Sequence, residues 1–467
     1  MKKALPLYLI LLLAIILRLK SLDQSFWLDE AVQAVISGKN LVTVNWGADF
    51  QPPLFYLLSH LWLKIGPTAE WFLRLPSVVF GVLTVYLLYI FCKQFFNEKA
   101  ALLASLLLAT APFHIYYSQE FRMYAFFTFL ALLSWILLTR AKWRSFTLVT
   151  LLSLFTHYFA FVNIIAQIAY ILFFDRKSVQ VFFVRLGLAM APFILWLPIL
   201  AQQIKTAGNL VTIWPRWQEV SSVSFLKFPG LVLAKFTVGM ISPENRLVYA
   251  GIVVITGAIF LLSLAKARKL KGAVPLVTFL VVPLVVTWIA GLWLAANSPW
   301  RIQFVLPALY AIIAAGLTNP GGSTPGVRKL ILIYLLAQNI AFSTLYLTQP
   351  RYHREDWRGA IAYSDQKAGD GALVLSEFNM PLAPMEWYSK KYHRYFGAST
   401  SQAITELSVA EKLDPLITTS NHIVLYTYLF EISDPNRHVE TYLQQQNFRL
   451  ITEKDFHGVG IIKEFVR

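Results

Sequence analysis

The sequence predicts an all-α polytopic membrane bundle of about eleven spans, followed by a small α/β domain, and three observations carry that prediction. Hydrophobic residues fill 57% of the 467 positions and charged residues only 14%, against roughly 25% charged in a soluble domain. Charge-free runs such as residues 100–119 and 247–265 match the roughly 20 residues that carry a helix across hydrocarbon, where each segment must satisfy its own backbone polar groups. After residue 349 the pattern changes: residues 1–349 hold 28 Lys and Arg against 10 Asp and Glu, whereas residues 350–467 hold 13 against 15.

The elements follow in order. Met1-Lys2-Lys3 precedes an apolar run with no small-x-small cleavage site before Arg18 and Lys20, so the run reads as a retained first span that starts in the cytoplasm. Residues 20–70 form a long outer loop, expected to lie on the membrane surface as short helices. Trp27 and Trp46 suit the interface, and Pro52-Pro53, after Asp49 and Gln51, suits a helix start. Spans are expected near residues 5–19, 71–92, 100–117, 122–139, 145–157, 158–174, 182–201, 247–265, 274–295, 302–317 and 329–347. Residues 145–174 make two short crossings or a re-entrant pair around Thr156-His157-Tyr158. The run 225–240, interrupted by Lys227, Pro229 and Lys235, reads as interfacial. The segment 319–325, NPGGSTP, reads as a cytoplasmic turn.

Basic clusters recur at the ends of the apolar runs, at Lys2-Lys3, 93–99, 140–144, 176–177, 266–271 and 328–329, as cytoplasmic loops require. An odd number of crossings then places the tail outside. Residues 1–349 form the membrane domain. Residues 350–467 form a soluble extracytoplasmic domain in which short apolar runs at 372–375, 422–426 and 458–462 alternate with helix-prone stretches.

Net charge is +16, but its excess belongs to membrane anchors, so no nucleic-acid partner is indicated. The chain has no GxxxxGK[ST], GxGxxG or HExxH pattern. Its single cysteine, Cys92, can form neither an internal disulfide nor a cysteine metal site, and reads as a small buried apolar residue.

Eight acids of the membrane part (Asp23, Asp29, Glu30, Asp49, Glu70, Glu120, Glu219 and Glu244) fall on the outer side of this threading. Asp29-Glu30 has three readings: a charge pair favourable at a helix N-terminus, a site where Asp29 is the general base for an incoming hydroxyl or amine, or an ion or metal ligand. Glu120 and Arg122 flank Phe121 at the mouth of a hairpin, where a charge is paired or functional. Their spacing of two does not place them on one helix face. Arg74, one turn into the second span, either snorkels to the headgroups or offers a phosphate a bidentate fork. His157, with Tyr158 beside it, is either a hydrogen-bonded structural group or a ligand, and Arg301 is an interface anchor or a phosphate partner. Together Arg74, Arg122, His157, Arg301 and the carboxylates suit an anionic lipid headgroup.

The order of LDEA, QPPLFY, WFLRLPSVVFG, YSQEFRMY and THYFA resembles bacterial glycosyltransferases of family 39. These belong to the GT-C class, which includes protein O-mannosyltransferases and the aminoarabinose transferases of lipid A. The likeness covers about the first 175 residues. It implies an active site on the non-cytoplasmic face of the cell (inner) membrane and a donor sugar carried on polyprenyl phosphate. Asp29 matches the acidic position of the first loop. Relatives often carry His, Lys or Glu just before the two prolines, where this chain has Phe50-Gln51, so no metal ligand transfers to that position.

The expectation is therefore an inverting sugar transfer with Asp29 as base. Glu30, Gln51, Arg74, Glu120, Arg122, Tyr124, His157, Tyr158 and Arg301 are the candidate substrate contacts. The acceptor is a protein, lipid or polysaccharide, no cofactor is assigned, and a divalent metal stays open. A transporter or flippase of a lipid-linked sugar, or a membrane scaffold, would share the bundle.

Overall fold

The computed structural model describes residues 5–318 and 324–467. Lys2-Lys3 and residues 319–323 of the expected turn lie outside the described residues. Every apolar run expected to span is helical: Leu5–Leu19, Glu70–Phe95, Glu98–Thr110 with Pro112–Ser118, Tyr124–Thr139, Trp143–Leu154, Ala160–Phe174, Val179–Met190, Arg246–Ala267, Val274–Ala290, Leu306–Thr318 and Pro325–Thr348. Among the described residues, four helical stretches are long and apolar enough to cross a membrane: Glu70–Phe95, Arg176–Ile213, Arg246–Ala267 and Pro325–Thr348. A bent pair, Glu98–Thr110 with Pro112–Ser118, makes a fifth, and seven other apolar helices are shorter. The protein is a multi-pass membrane protein, and this measure stops short of eleven spans.

Local chemistry sets these boundaries. The Asn97 side chain accepts from the Ala100 N–H at 2.9 Å and starts one helix. Pro112 has no N–H to continue the ladder, and the chain bends by 63° there. The run read as interfacial is a helix, Phe228–Val238, with Phe228, Val232 and Phe236 buried, and the Phe236 ring lies 5.6 Å from that of Phe113. It packs on the bundle because its apolar residues face all round. Residues 143–174 form two helices joined by a turn at 155–159.

The C-terminal part contains a five-stranded sheet in the order β2-β1-β3-β5-β4, built from β1 Leu373–Ser376, β2 Tyr395–Gly397, β3 His422–Tyr426, β4 Arg449–Phe456 and β5 Gly460–Val466. Strands β2, β1 and β3 are parallel, and β5 pairs antiparallel with β3 and β4. Two apolar layers cover the sheet, one around Trp357, Ile361 and Tyr426, the other around Val409, Leu413 and Leu443.

This domain rests on one end of the bundle. The Tyr388 hydroxyl accepts from the Phe26 N–H at 2.7 Å and donates to Glu70 at 2.8 Å. On the far side of the same end, Trp214 donates to the Gln402 carbonyl at 3.1 Å and packs 5.7 Å from Phe378. Glu70 begins a helix of 26 residues, about 39 Å long at about 1.5 Å per residue. Its other end carries the Lys93–Glu98 ion pair at 2.7 Å and Gln94, which accepts from Arg140 at 2.9 Å. The basic clusters near residues 93–99 and 140–144 are thus at the end opposite the C-terminal domain.

Candidate active site

The loop after the first helix turns into a short helix, Leu28–Gly38, with Asp29 and Glu30 in its first turn. Successive helical residues point about 100° apart, so the two carboxylates meet different surroundings. Glu30 is buried and gripped by Arg74 through two bonds, Nε to Oε1 at 2.8 Å and Nη2 to Oε2 at 2.6 Å. The Phe121 N–H adds a third at 2.6 Å. Burial alone would raise the pKa of Glu30, but the neighbouring Arg74 and Arg354 charges hold it below the ordinary range. The remaining Arg74 donors go to the carbonyls of Leu22, Gln24 and Ser25 at 2.8, 2.6 and 3.2 Å. Arg74 therefore neither reaches the headgroups nor keeps a free fork for phosphate; it ties the loop to the second long helix.

The turn after Pro112–Ser118 supplies Glu120 and Arg122, and they do not pair with one another. Glu120 faces Arg354 of the C-terminal part, Nη1 to Oε2 at 3.2 Å. Arg354 lies 4.1 Å above the Tyr116 ring and donates to the Tyr116 carbonyl at 3.0 Å. Burial pushes Glu120 up to about 7, against the pull of Arg354. Arg122 turns the other way, donating to the Asp29 carbonyl at 3.3 Å and standing 3.9 Å from its carboxylate. Burial would lower the Arg122 pKa, but Tyr56, Asp29, Tyr124 and Asp49 around it raise it. Burial also lowers that of Arg301, offset by Tyr124 and Asp29. The Arg122 guanidinium thus approaches the Asp29 carboxylate, and the Asp29 side chain keeps 40% of its exposure while that of Glu30 keeps none.

The other candidates divide. Tyr124 lies beside this group, 5.3 Å from the Tyr117 ring. His157 holds its own turn, with Nδ1 accepting from the Phe159 N–H at 3.0 Å, and its ring stacks 5.1 Å from Phe127; this is the hydrogen-bonded structural reading. The Tyr158 hydroxyl bonds Gln203 and accepts from Trp196 at 3.0 Å, which engages it in packing. Gln51 meets the same Gln203 through its carbonyl at 3.3 Å. Trp46, expected at the interface, sits 5.5 Å from Tyr56 and 6.1 Å from Trp196. Among the described residues no group of three or more His, Cys, Asp or Glu side chains could hold a metal ion.

Sequence reasoning missed Arg354, Asp49 and Tyr56. Tyr56 is buried, and it and Asp49 both feel the Arg122 charge. The only signal for Arg354 was the density of charge in HREDWR, residues 353–358, which marks the start of the tail equally well.

Residues 50–201, about a third of the chain, match the family model of dolichyl-phosphate-mannose-protein mannosyltransferases. ArnT from Cupriavidus metallidurans, solved with undecaprenyl phosphate, superposes with a TM-score of 0.59 at 12% identity over 99% of this chain and 97% of that one. The chain has the GT-C glycosyltransferase fold. A second GT-C structure, the archaeal oligosaccharyltransferase AglB from Archaeoglobus fulgidus with an inhibitory peptide and a dolichol-phosphate, gives a TM-score of 0.55 at 12% identity, covering 91% of this chain and 69% of that one. No curated protein sequence matches the chain. The fold implied by the resemblance read from the sequence is thus shown, and the overlap with ArnT extends over 99% of this chain, the C-terminal sheet included.

Proposed function

We propose that the protein is a membrane glycosyltransferase that moves a sugar from a polyprenyl-phosphate carrier to an acceptor hydroxyl or amine on the non-cytoplasmic face of the cell membrane. The observation that carries this reading is the division of labour among three rim carboxylates. Glu30 and Glu120 are buried against arginines, whereas Asp29 is half-exposed with Arg122 beside it. ArnT was solved with undecaprenyl phosphate and AglB with a dolichol-phosphate, which supports a lipid-phosphate donor here.

In the proposed reaction the acceptor oxygen or nitrogen attacks the anomeric carbon and its proton passes to Asp29. The bond from that carbon to the phosphate oxygen breaks, and its electron pair leaves with the lipid phosphate. In this reading Arg122 and Arg301 are the cations that offset the developing charge. A phosphate leaving group needs no second carboxyl acid, unlike the inverting glycosidases, so one base suffices and the anomeric configuration inverts. Residues 1–349, threaded as eleven crossings, hold this chemistry, and residues 350–467 cover it from outside.

The test is D29N. The purified variant should bind undecaprenyl phosphate as the wild type does, while the glycan or lipid product that mass spectrometry finds only in cells carrying the chain disappears. Product at the wild-type level in D29N cells overturns the assignment.

A further inference from the structure

The helix that carries Asp29 begins without a cap of its own. Trp27 stands at the N-cap position and makes no side-chain hydrogen bond there, although the first turn of a helix exposes N–H groups that need partners. The partner arrives from the C-terminal domain: Glu355 Oε2 accepts from the Leu28 N–H at 3.1 Å. The same oxygen accepts from Trp357 Nε1 at 2.6 Å, and Oε1 accepts from the Tyr428 hydroxyl at 3.0 Å. Three donors therefore fix the carboxylate. The rings that deliver two of them are packed together, Trp357 lying 4.9 Å from Tyr428 and 5.9 Å from Tyr426.

Glycine makes room for this. Gly458, in the turn between β4 and β5, has φ +72, and a Cβ there would stand 2.9 Å from Glu355 Cγ. The next peptide is held as well, the Asp356 N–H donating to the His457 carbonyl at 2.8 Å. Glu355 is thus carried on a rigid corner of the sheet domain and aimed at the start of a helix 327 residues earlier in the chain.

We infer that Glu355 is a positioning residue: a carboxylate of the C-terminal domain caps the Asp29 helix from outside and fixes where the base stands. Asp29 is one residue past the capped N–H, so loss of the cap frays the turn that aims it. Burial raises the pKa of Glu355, and the Asp29 charge adds to the rise, which agrees with the closeness of the two groups. Arg358 makes two further contacts beside this corner: it donates its N–H to the Ser25 hydroxyl at 3.0 Å, and its guanidinium lies 3.2 Å from Glu70.

This inference rests on the reading of Asp29 as base, and the test separates the two. Full-length wild type, E355A, E355Q and D29N are compared in nanodiscs and in cells. Glutamine keeps an oxygen for the Leu28 and Trp357 donors, and alanine keeps none. For E355A, amide exchange in a peptide covering residues 26–33 should quicken at least tenfold and the cellular product should fall at least tenfold. Binding of undecaprenyl phosphate should stay within twofold, and E355Q should stay within threefold of wild type in every measure. Unchanged exchange in E355A, exchange that quickens throughout the chain, loss of lipid binding, or an E355Q that fails like E355A each overturns the capping role. Product from D29N cells instead sinks the assignment of the base, while the exchange measurement still judges the cap.

Discussion

Glu30 and Asp29 are neighbours with opposite fates, and the consequence is measurable. Removing one partner of a buried ion pair leaves the other charged and unpaired, at a cost of about 3–5 kcal/mol. E30Q should therefore lower the thermal midpoint in detergent steeply, whereas D29N, at a half-exposed position, should stay within about 0.5 kcal/mol of wild type. Equal losses in the two variants would contradict the division between them. Glu377, just past β1, makes a separate prediction through pH. Its side chain is fully buried with Arg437 at 4.0 Å, and burial, then Asp434, pushes it up to about 8 from 4.5. Between those values the folded chain holds a proton that the unfolded chain has released. The resulting stability is complete below about pH 4.5 and is lost as pH rises toward 8, with a slope of at most about 1.4 kcal/mol per pH unit. E377Q should flatten that slope and raise the thermal midpoint at pH 8; an unchanged slope would show that Glu377 is already ionised. The sequence showed that Asp29-Glu30 opens a helix, since first-turn acids are a local signal. It could not show which of the pair is gripped, because the gripping groups, Arg74 and the Phe121 N–H, lie 44 and 91 residues away.

Elements were more legible than contacts, because a span is written in composition over a window while a contact is written in two distant places. Each expected apolar run became a helix, and the runs at 372–375, 422–426 and 458–462 fall on β1, β3 and β5. What composition concealed is how elements approach. The helix Glu70–Phe95 meets the bent pair at Gly81, where a Cβ would run into the Ser118 hydroxyl and come within 3.2 Å of Arg18 Nε. That approach matters to the site, because the bend leads directly into the turn bearing Glu120 and Arg122. G81V should cost about 1–3 kcal/mol, the usual range for overpacking, and should loosen the 119–123 turn in amide exchange. A fully stable G81V would mean that the two helices have slack between them. The helix Phe228–Val238 shows the same limit from the other side: Lys227, Pro229 and Lys235 marked the run as interfacial, and composition did not show which face of the bundle its Phe228, Val232 and Phe236 cover.

At the scale of the whole molecule, one geometrical fact constrains every functional reading: the C-terminal sheet domain, the first loop and the Asp29 group share one end of the bundle, and basic clusters near residues 93–99 and 140–144 share the other. Lys and Arg collect in cytoplasmic loops, so the end bearing Asp29 should face outward. The chain lends itself to a direct test, since its only cysteine, Cys92, is buried. In a C92A background, S401C reports on the sheet domain and K142C on the far end, both at exposed positions. A membrane-impermeant maleimide added to intact cells with a permeabilised outer envelope should label S401C and spare K142C, and inside-out vesicles should reverse the pattern. Labelling of K142C in intact cells would place Asp29 in the cytosol, where it would face the wrong side of the membrane for the proposed transfer. The same arrangement explains why the sheet domain cannot be treated as an appendage. Arg354 pairs with Glu120, and Glu355 accepts from the first N–H of the Asp29 helix, so the sheet domain contributes directly to the charge balance and the geometry around Asp29.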